Sequence, residues 1–155
     1  MLKEGDQAPD IQLRTDTGEP FQLSSLKGKR VVLYFYPKAD TPGCTVEACE
    51  FRDDMAAFKR KDSVIVGISP DKPAAQAKFK TKYDLPFTLL ADEEKSAAQA
   101  YGVWKEKNMY GKRYWGVART TFWIGPDGRI KKIWKKVDTK KHAEDVLAEL
   151  NAPAK

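Results

Sequence analysis

Cysteine and histidine are scarce in this chain of 155 residues, which has two of the first, Cys44 and Cys49, and one of the second, His142. Two thiols and one remote imidazole leave no obvious ligand set for a closed structural zinc site. Long apolar runs are missing as well. The longest, residues 31–36 (Val-Val-Leu-Tyr-Phe-Tyr), has six residues, far short of the ~20 that a membrane-spanning helix needs. The opening Met1-Leu2-Lys3-Glu4-Gly5-Asp6 has neither the apolar core nor the small-residue cleavage site of a secretory signal, which predicts a cytoplasmic protein with no membrane partner. In that reducing compartment a permanent staple is not expected, so the pair is read as transient, catalytic or metal-binding. No repeat, linker or low-complexity tract interrupts the sequence, and one domain spanning residues 1–155 is expected.

Charge and hydropathy fit a folded globular chain, with 41% hydrophobic and 32% charged residues. The net charge of +6 and the cluster Lys131, Lys132, Lys135, Lys136, Lys140 and Lys141 raise the possibility of a nucleic-acid partner. These lysines punctuate Ile130, Ile133, Trp134 and Val137, however, as outward residues of a strand do. They are read as a solvated face, with no nucleic-acid partner.

Alternation and turn residues set out the elements. Residues 10–13 and 21–23 flank a turn-rich stretch and predict an opening hairpin. The apolar run 31–36, closed by Pro37, reads as a central strand buried on both faces. Val46, Phe51, Met55 and Phe58 recur at helical spacing across residues 44–61, with Thr41 as N-cap and Pro42 at the first helical position. Residues 63–69 predict a second strand, 73–83 a helix, 87–90 a short strand and 96–101 a short helix. Residues 120–124 and 129–134, joined by Gly125-Pro126-Asp127-Gly128, predict a second hairpin, and residues 139–150 a closing amphipathic helix. Residues 105–114 are polar and aromatic without a period and read as a mobile loop. Strands alternating with helices indicate an α/β fold with a central mixed sheet flanked by helices.

The chemistry concentrates in Pro37-Lys38-Ala39-Asp40-Thr41-Pro42-Gly43-Cys44-Thr45-Val46-Glu47-Ala48-Cys49. In the first turn of a helix, free N–H groups and the positive end of the macrodipole favour a thiolate at Cys44. An ordinary cysteine thiol is only about 3% ionised at pH 7. Attack by that thiolate on an electrophile would further need donors for the charge developing on the leaving atom. The Thr41 hydroxyl and the N–H groups of Gly43 and Cys44 are the nearest candidates, and Arg119, just before the strand at 120–124, is the candidate cation. Cys49 follows Cys44 by five residues. On one intact helix that spacing holds the Cα atoms roughly 8.6 Å apart, whereas a disulfide tolerates about 7 Å at most. If the two bond, the helix must unwind between the steps. Both could instead be small buried hydrophobes, as free cysteines often are.

These residues resemble the peroxiredoxin family, and within it the bacterioferritin comigratory protein, or peroxiredoxin Q, subgroup. Phe35-Tyr36-Pro37, Thr41-Pro42-Gly43-Cys44-Thr45, Glu47, Cys49 and Arg119-Thr120-Thr121-Phe122 follow its pattern in order and spacing. Many relatives have serine where Thr120 stands, a change that keeps the hydroxyl. The resemblance implies a thioredoxin-like fold and a thiol peroxidase in antioxidant defence. Cys44 would be the peroxidatic cysteine, Cys49 the resolving one, and Pro37 a shield for the thiolate. Thr41, Gly43, Cys44 and Arg119 would bind the peroxide. The resemblance further implies hydrogen peroxide and organic hydroperoxides as substrates, and thioredoxin or a related dithiol protein as reductant. It implies no metal or organic cofactor, and a monomer or weak homodimer.

Other residues carry weaker readings. Glu47 could support an arginine network, although a carboxylate near a helix N-terminus is already explained by the dipole. His142, in the lysine-rich start of the last helix, reads as a surface residue. Trp104, Trp115, Trp123 and Trp134 read as core and rim packing. A thioredoxin-like disulfide carrier is the nearest rival, but such proteins use Cys-x-x-Cys, and here four residues separate the cysteines. A non-catalytic redox sensor is the rival from another class.

Overall fold

A computed structural model describes residues 2–150. In chain order the elements are β1 (Gln12–Thr15), β2 (Pro20–Gln22), β3 (Arg30–Phe35), α1 (Pro42–Asp53), α2 (Met55–Arg60), β4 (Ser63–Ser69) and α3 (Pro73–Tyr83). There follow β5 (Thr88–Ala91), α4 (Ser96–Ala100), β6 (Trp104–Met109), β7 (Lys112–Val117), β8 (Thr120–Ile124), β9 (Ile130–Trp134) and α5 (His142–Leu150).

Val31 to Phe35 are all buried, as a run of β-branched and aromatic residues requires when both faces of its strand are covered. Alternate side chains serve different cores. Val31, Leu33 and Phe35 pack with Val66, Ile68, Phe122 and Tyr101, on the side covered by α4. Val32, Tyr34 and Tyr36 pack with Phe51, Phe58, Phe79 and Val146, on the side covered by α1, α2, α3 and α5. The sheet has seven strands in the order β2-β1-β5-β4-β3-β8-β9. β3, β4 and β5 run parallel, and β8 and β9 antiparallel beyond β3. The opening hairpin is present as β1 and β2, and β1 joins the sheet through β5.

Three expectations are corrected. The helix expected over 44–61 is two helices, broken at Asp54, whose φ of −95° and ψ of 8° leave the helical range. Aspartate competes with helical hydrogen bonding through its own carboxylate, and the break falls on it. Residues 105–114, read as a mobile loop, form the antiparallel pair β6 and β7, in register from Trp104 opposite Val117 to Met109 opposite Lys112. Tyr110 and Gly111 both have positive φ, 53° and 82°, which is the two-residue turn whose twist suits a hairpin. His142, read as a surface residue, is 1% exposed. Its Nε2 lies 2.7 Å from the Thr121 hydroxyl, and its ring stands edge-on to Phe51 and Trp134. The first turn of α5 packs onto the sheet, so the lysines before it take the solvent.

The topology places the ends of several strands together. Thr120 lies opposite Phe35 in the β3–β8 register, so Arg119 enters beside Tyr36 and the loop leading to α1. Sequence distance of more than seventy residues is erased by one antiparallel pairing.

Candidate active site

Thr41 occupies the N-cap of α1 with extended backbone, φ −90° and ψ 157°, and its carbonyl accepts the Thr45 N–H at 2.8 Å. Thr41 holds the expected N-cap position, but its hydroxyl does not bond the helix N–H groups. It donates to the Lys38 carbonyl at 2.8 Å, closing the loop on itself. Pro42 and Gly43 then start α1, and Cys44 falls in the first turn, 1% exposed. The first helical N–H groups have no intrahelical acceptor, so the sulfur sits at a positive helix end.

Arg119 supplies a full charge at the same place. Its Nη2 donates to Cys44 Sγ at 3.2 Å, and its Nη1 donates to Glu47 Oε1 at 2.7 Å. One guanidinium thus bridges a thiol and a carboxyl on adjacent turns of α1. Glu47 is fully buried, and burial pushes its carboxyl up to about 7 against the pull of Arg119. Burial opposes the charge of Arg119, but Glu47 and Cys44 outweigh it and hold the guanidinium above its ordinary range. Gly43 makes room for this arrangement, because a Cβ there would come 3.3 Å from Arg119 Nη2.

The sequence matches the AhpC/TSA family over residues 4–133. The chain belongs to that family. Peroxiredoxin Bcp of Bacillus subtilis is 51% identical over 149 residues, 96% of this chain and 95% of that one. Among solved structures, Xanthomonas campestris bacterioferritin comigratory protein, described for its alkyl peroxide reduction activity, superposes with a TM-score of 0.89 at 35% identity. The match covers 97% of this chain and 96% of that one. A mutant of Xylella fastidiosa PrxQ superposes with a TM-score of 0.91 at 33% identity, again over 97% and 96% of the two chains. The fold is therefore the thioredoxin fold of the peroxiredoxins.

In this peroxiredoxin the residues singled out from sequence fall into two groups. Cys44 and Glu47 are joined through Arg119, and Gly43 lies against its guanidinium. Pro37, half-buried, and Thr41 lie on the loop before α1, and Cys49 is half-buried on α1 itself. Both cysteines are free thiols, and burial pushes that of Cys49 up.

Sequence reasoning missed the residues that clasp the loop. The Asp71 carboxylate accepts the Ala39 N–H at 2.7 Å and the Ser69 hydroxyl at 2.6 Å. Asp40, at a positive φ of 60°, accepts from Lys82 Nζ at 2.9 Å and the Tyr83 hydroxyl at 2.8 Å. Arg52, near the other end of α1, donates to the Tyr83 carbonyl at 2.7 Å. The available signal was Asp40 between the strand and its helix, since aspartate tolerates the left-handed region.

Among the described residues no group of three or more His, Cys, Asp or Glu side chains is arranged to hold a metal ion. No helix among the described residues is long and apolar enough to cross a membrane. A cavity of about 330 Å³ lined by Gln7, Asp10, Leu23, Lys27 and Val31 lies at the far end of β3 and includes none of the residues above.

Proposed function

We propose that the protein is a thiol-dependent peroxidase acting on hydrogen peroxide and organic hydroperoxides, with Cys44 as nucleophile and Cys49 as resolving thiol. The observation that carries this reading is the Arg119 bridge, which sets a guanidinium 3.2 Å from a sulfur already at a helix N-terminus. A carrier of disulfides has no need of a cation aimed at the atom that peroxide oxygen approaches, nor does a passive sensor.

The Cys44 thiolate attacks the distal oxygen of ROOH, forming the S–O bond as the O–O bond breaks. The peroxide proton stays on the sulfenic acid, and the departing alkoxide takes a proton from solvent to leave as ROH. Arg119 and the first N–H groups of α1 are the donors that orient the peroxide and stabilise its oxygens as charge develops, and the Thr41 hydroxyl, whose own proton goes to the Lys38 carbonyl, accepts from the peroxide O–H. Pro37 keeps bulk water from the sulfur.

Cys49 then displaces water from the sulfenic acid, giving a Cys44–Cys49 disulfide. Both residues lie on one continuous helix, so the first turns of α1 must open for the sulfurs to meet. Opening also releases Cys49 from the burial that holds its thiol up. A dithiol protein such as thioredoxin then exchanges with the disulfide and restores both thiols.

The test is consumption of peroxide coupled to a supplied thioredoxin system. Wild type turns over; Cys44→Ser does not; Cys49→Ser undergoes one oxidation and stops at a sulfenic acid that a dimedone-type reagent traps. Turnover by Cys44→Ser would overturn the assignment of the nucleophile.

A further inference from the structure

Gln76, near the start of α3, has no exposed surface. Burying a carboxamide is unfavourable unless its hydrogen bonds are made, and here they are. Nε2 donates to the Leu90 carbonyl and to the Ser69 hydroxyl oxygen, each at 2.8 Å, and Oε1 accepts from the Tyr36 hydroxyl at 2.5 Å. A carbonyl has no hydrogen to give, so Leu90 decides which end of the amide is nitrogen. The direction of every bond beyond it is then fixed. The Ser69 oxygen accepts from Gln76 and gives its own hydrogen to Asp71 Oδ2 at 2.6 Å, and the same carboxylate oxygen accepts the Ala39 N–H at 2.7 Å.

The Ala39 N–H and the Lys38 carbonyl are opposite edges of one planar peptide unit. The turn brings that carbonyl within reach of Thr41, and Asp71, holding the other edge, sets its tilt. The Thr41 hydroxyl donates to it at 2.8 Å. An N-cap threonine ordinarily spends its oxygen on the first helical N–H groups, but Thr41 makes no such bond. Its hydrogen is committed and its lone pairs are left to offer, three residues before Cys44. We propose that Gln76, Ser69 and Asp71 are positioning residues that hold the Thr41 hydroxyl as an acceptor for the O–H of the peroxide, acting through the 38–39 peptide without touching substrate or sulfur. Cutting the series frees that peptide to turn, and Thr41 reverts to capping the helix, which consumes both its lone pairs and an N–H donor. The inference rests on the peroxidase reading for its purpose.

The experiment compares two reactions of Cys44 in a Cys49→Ser background: oxidation by hydrogen peroxide, which has an O–H for Thr41 to accept, and alkylation by iodoacetamide, which has none at its reacting carbon. A change in the exposure or ionisation of the thiol moves both rates together, so their ratio isolates the acceptor. Gln76→Leu should lower the ratio of peroxide to alkylation rate by at least about fivefold, the worth of one hydrogen bond. That loss should disappear in a Thr41→Val background, where the acceptor is already gone. Asp71→Ala should repeat the loss and Asp71→Asn, which keeps an acceptor oxygen, should restore the ratio; these changes at a half-buried loop position stand in if Gln76→Leu does not fold. A ratio unchanged in Asp71→Ala or in folded Gln76→Leu, or a loss that persists in full in Thr41→Val, would overturn the proposal. Exchange of the Ala39 amide reads the same series without peroxide and should quicken in Ser69→Ala although Asp71 is intact; unchanged protection would break the series. A parent that oxidises no faster than free cysteine, with Ala39 losing protection in Ser69→Ala, would fell the peroxidase reading and leave the hydrogen-bond series standing.

Discussion

Arg119 holds two acids with one guanidinium, and Gly43 is what lets it. In a helix, replacing glycine by alanine ordinarily stabilises by roughly 0.5–1 kcal/mol. At position 43 the new Cβ would press on Nη2 from 3.3 Å. Gly43→Ala should therefore melt no earlier than wild type yet react with peroxide at least about tenfold more slowly, because the donor has been displaced from the sulfur. Stopped-flow oxidation beside a thermal melt checks this, and an unimpaired rate would show that the guanidinium has room to move.

Glu47 and His142 give a second test, through pH. Burial lowers His142 from 6.5 to about 4, so the unfolded chain binds the extra proton between those values and stability is lost as pH falls through that window. Glu47 acts in the opposite sense. Its carboxyl rises from 4.5 to about 7, the folded chain binds the extra proton, and stability is lost as pH rises. Each amounts to roughly 3 kcal/mol at most, and between pH 5 and 6.5 the two slopes oppose each other. In urea melts His142→Gln should grow less stable with rising pH over this range, and Glu47→Gln more stable. Parallel profiles for the two variants would contradict the assignment.

At the scale of the element, α1 is bounded by fixed points. Asp71 and Asp40 clasp the loop before it, and Arg52 ties its far end to Tyr83. Unwinding for a Cys44–Cys49 disulfide is therefore confined between them. On oxidation, hydrogen exchange should quicken at amides 43–50 while those of β3 and of Ala39 stay protected. An unchanged α1 in the disulfide form would contradict the spacing argument. This requirement was readable from two residue numbers. The helix start was readable too, from Thr41-Pro42, but the use of the Thr41 hydroxyl was not, since the Lys38 carbonyl it bonds is placed by the loop's own turn. The β6–β7 hairpin escaped because its two strands have no fully packed face to impose alternation, and its turn is Tyr-Gly rather than the usual Asn-Gly.

For the molecule as a whole, the buried run 31–36 declared the centre of the sheet, and the strand–helix alternation declared the mixed architecture. Strand order was not legible, because the pairings that make it, such as Phe35 with Thr120, join residues far apart in sequence. The same long-range pairing brings Arg119 to Cys44, so from the residues alone that arginine could be nominated only as a candidate cation. His142 was misjudged for a related reason: its local neighbours are lysines, and its real ones, Phe51, Thr121 and Trp134, come from three other elements.

As the proposed nucleophile, Cys44 must react with peroxide faster than a free thiol does in water. Mixing reduced protein with hydrogen peroxide in a stopped-flow instrument measures that directly. Oxidation of Cys44 should outpace that of free cysteine by at least about a hundredfold, the contribution expected of a preorganised donor, and most of the gain should vanish in Arg119→Ala. Oxidation at the rate of free cysteine in the wild-type protein would contradict the account.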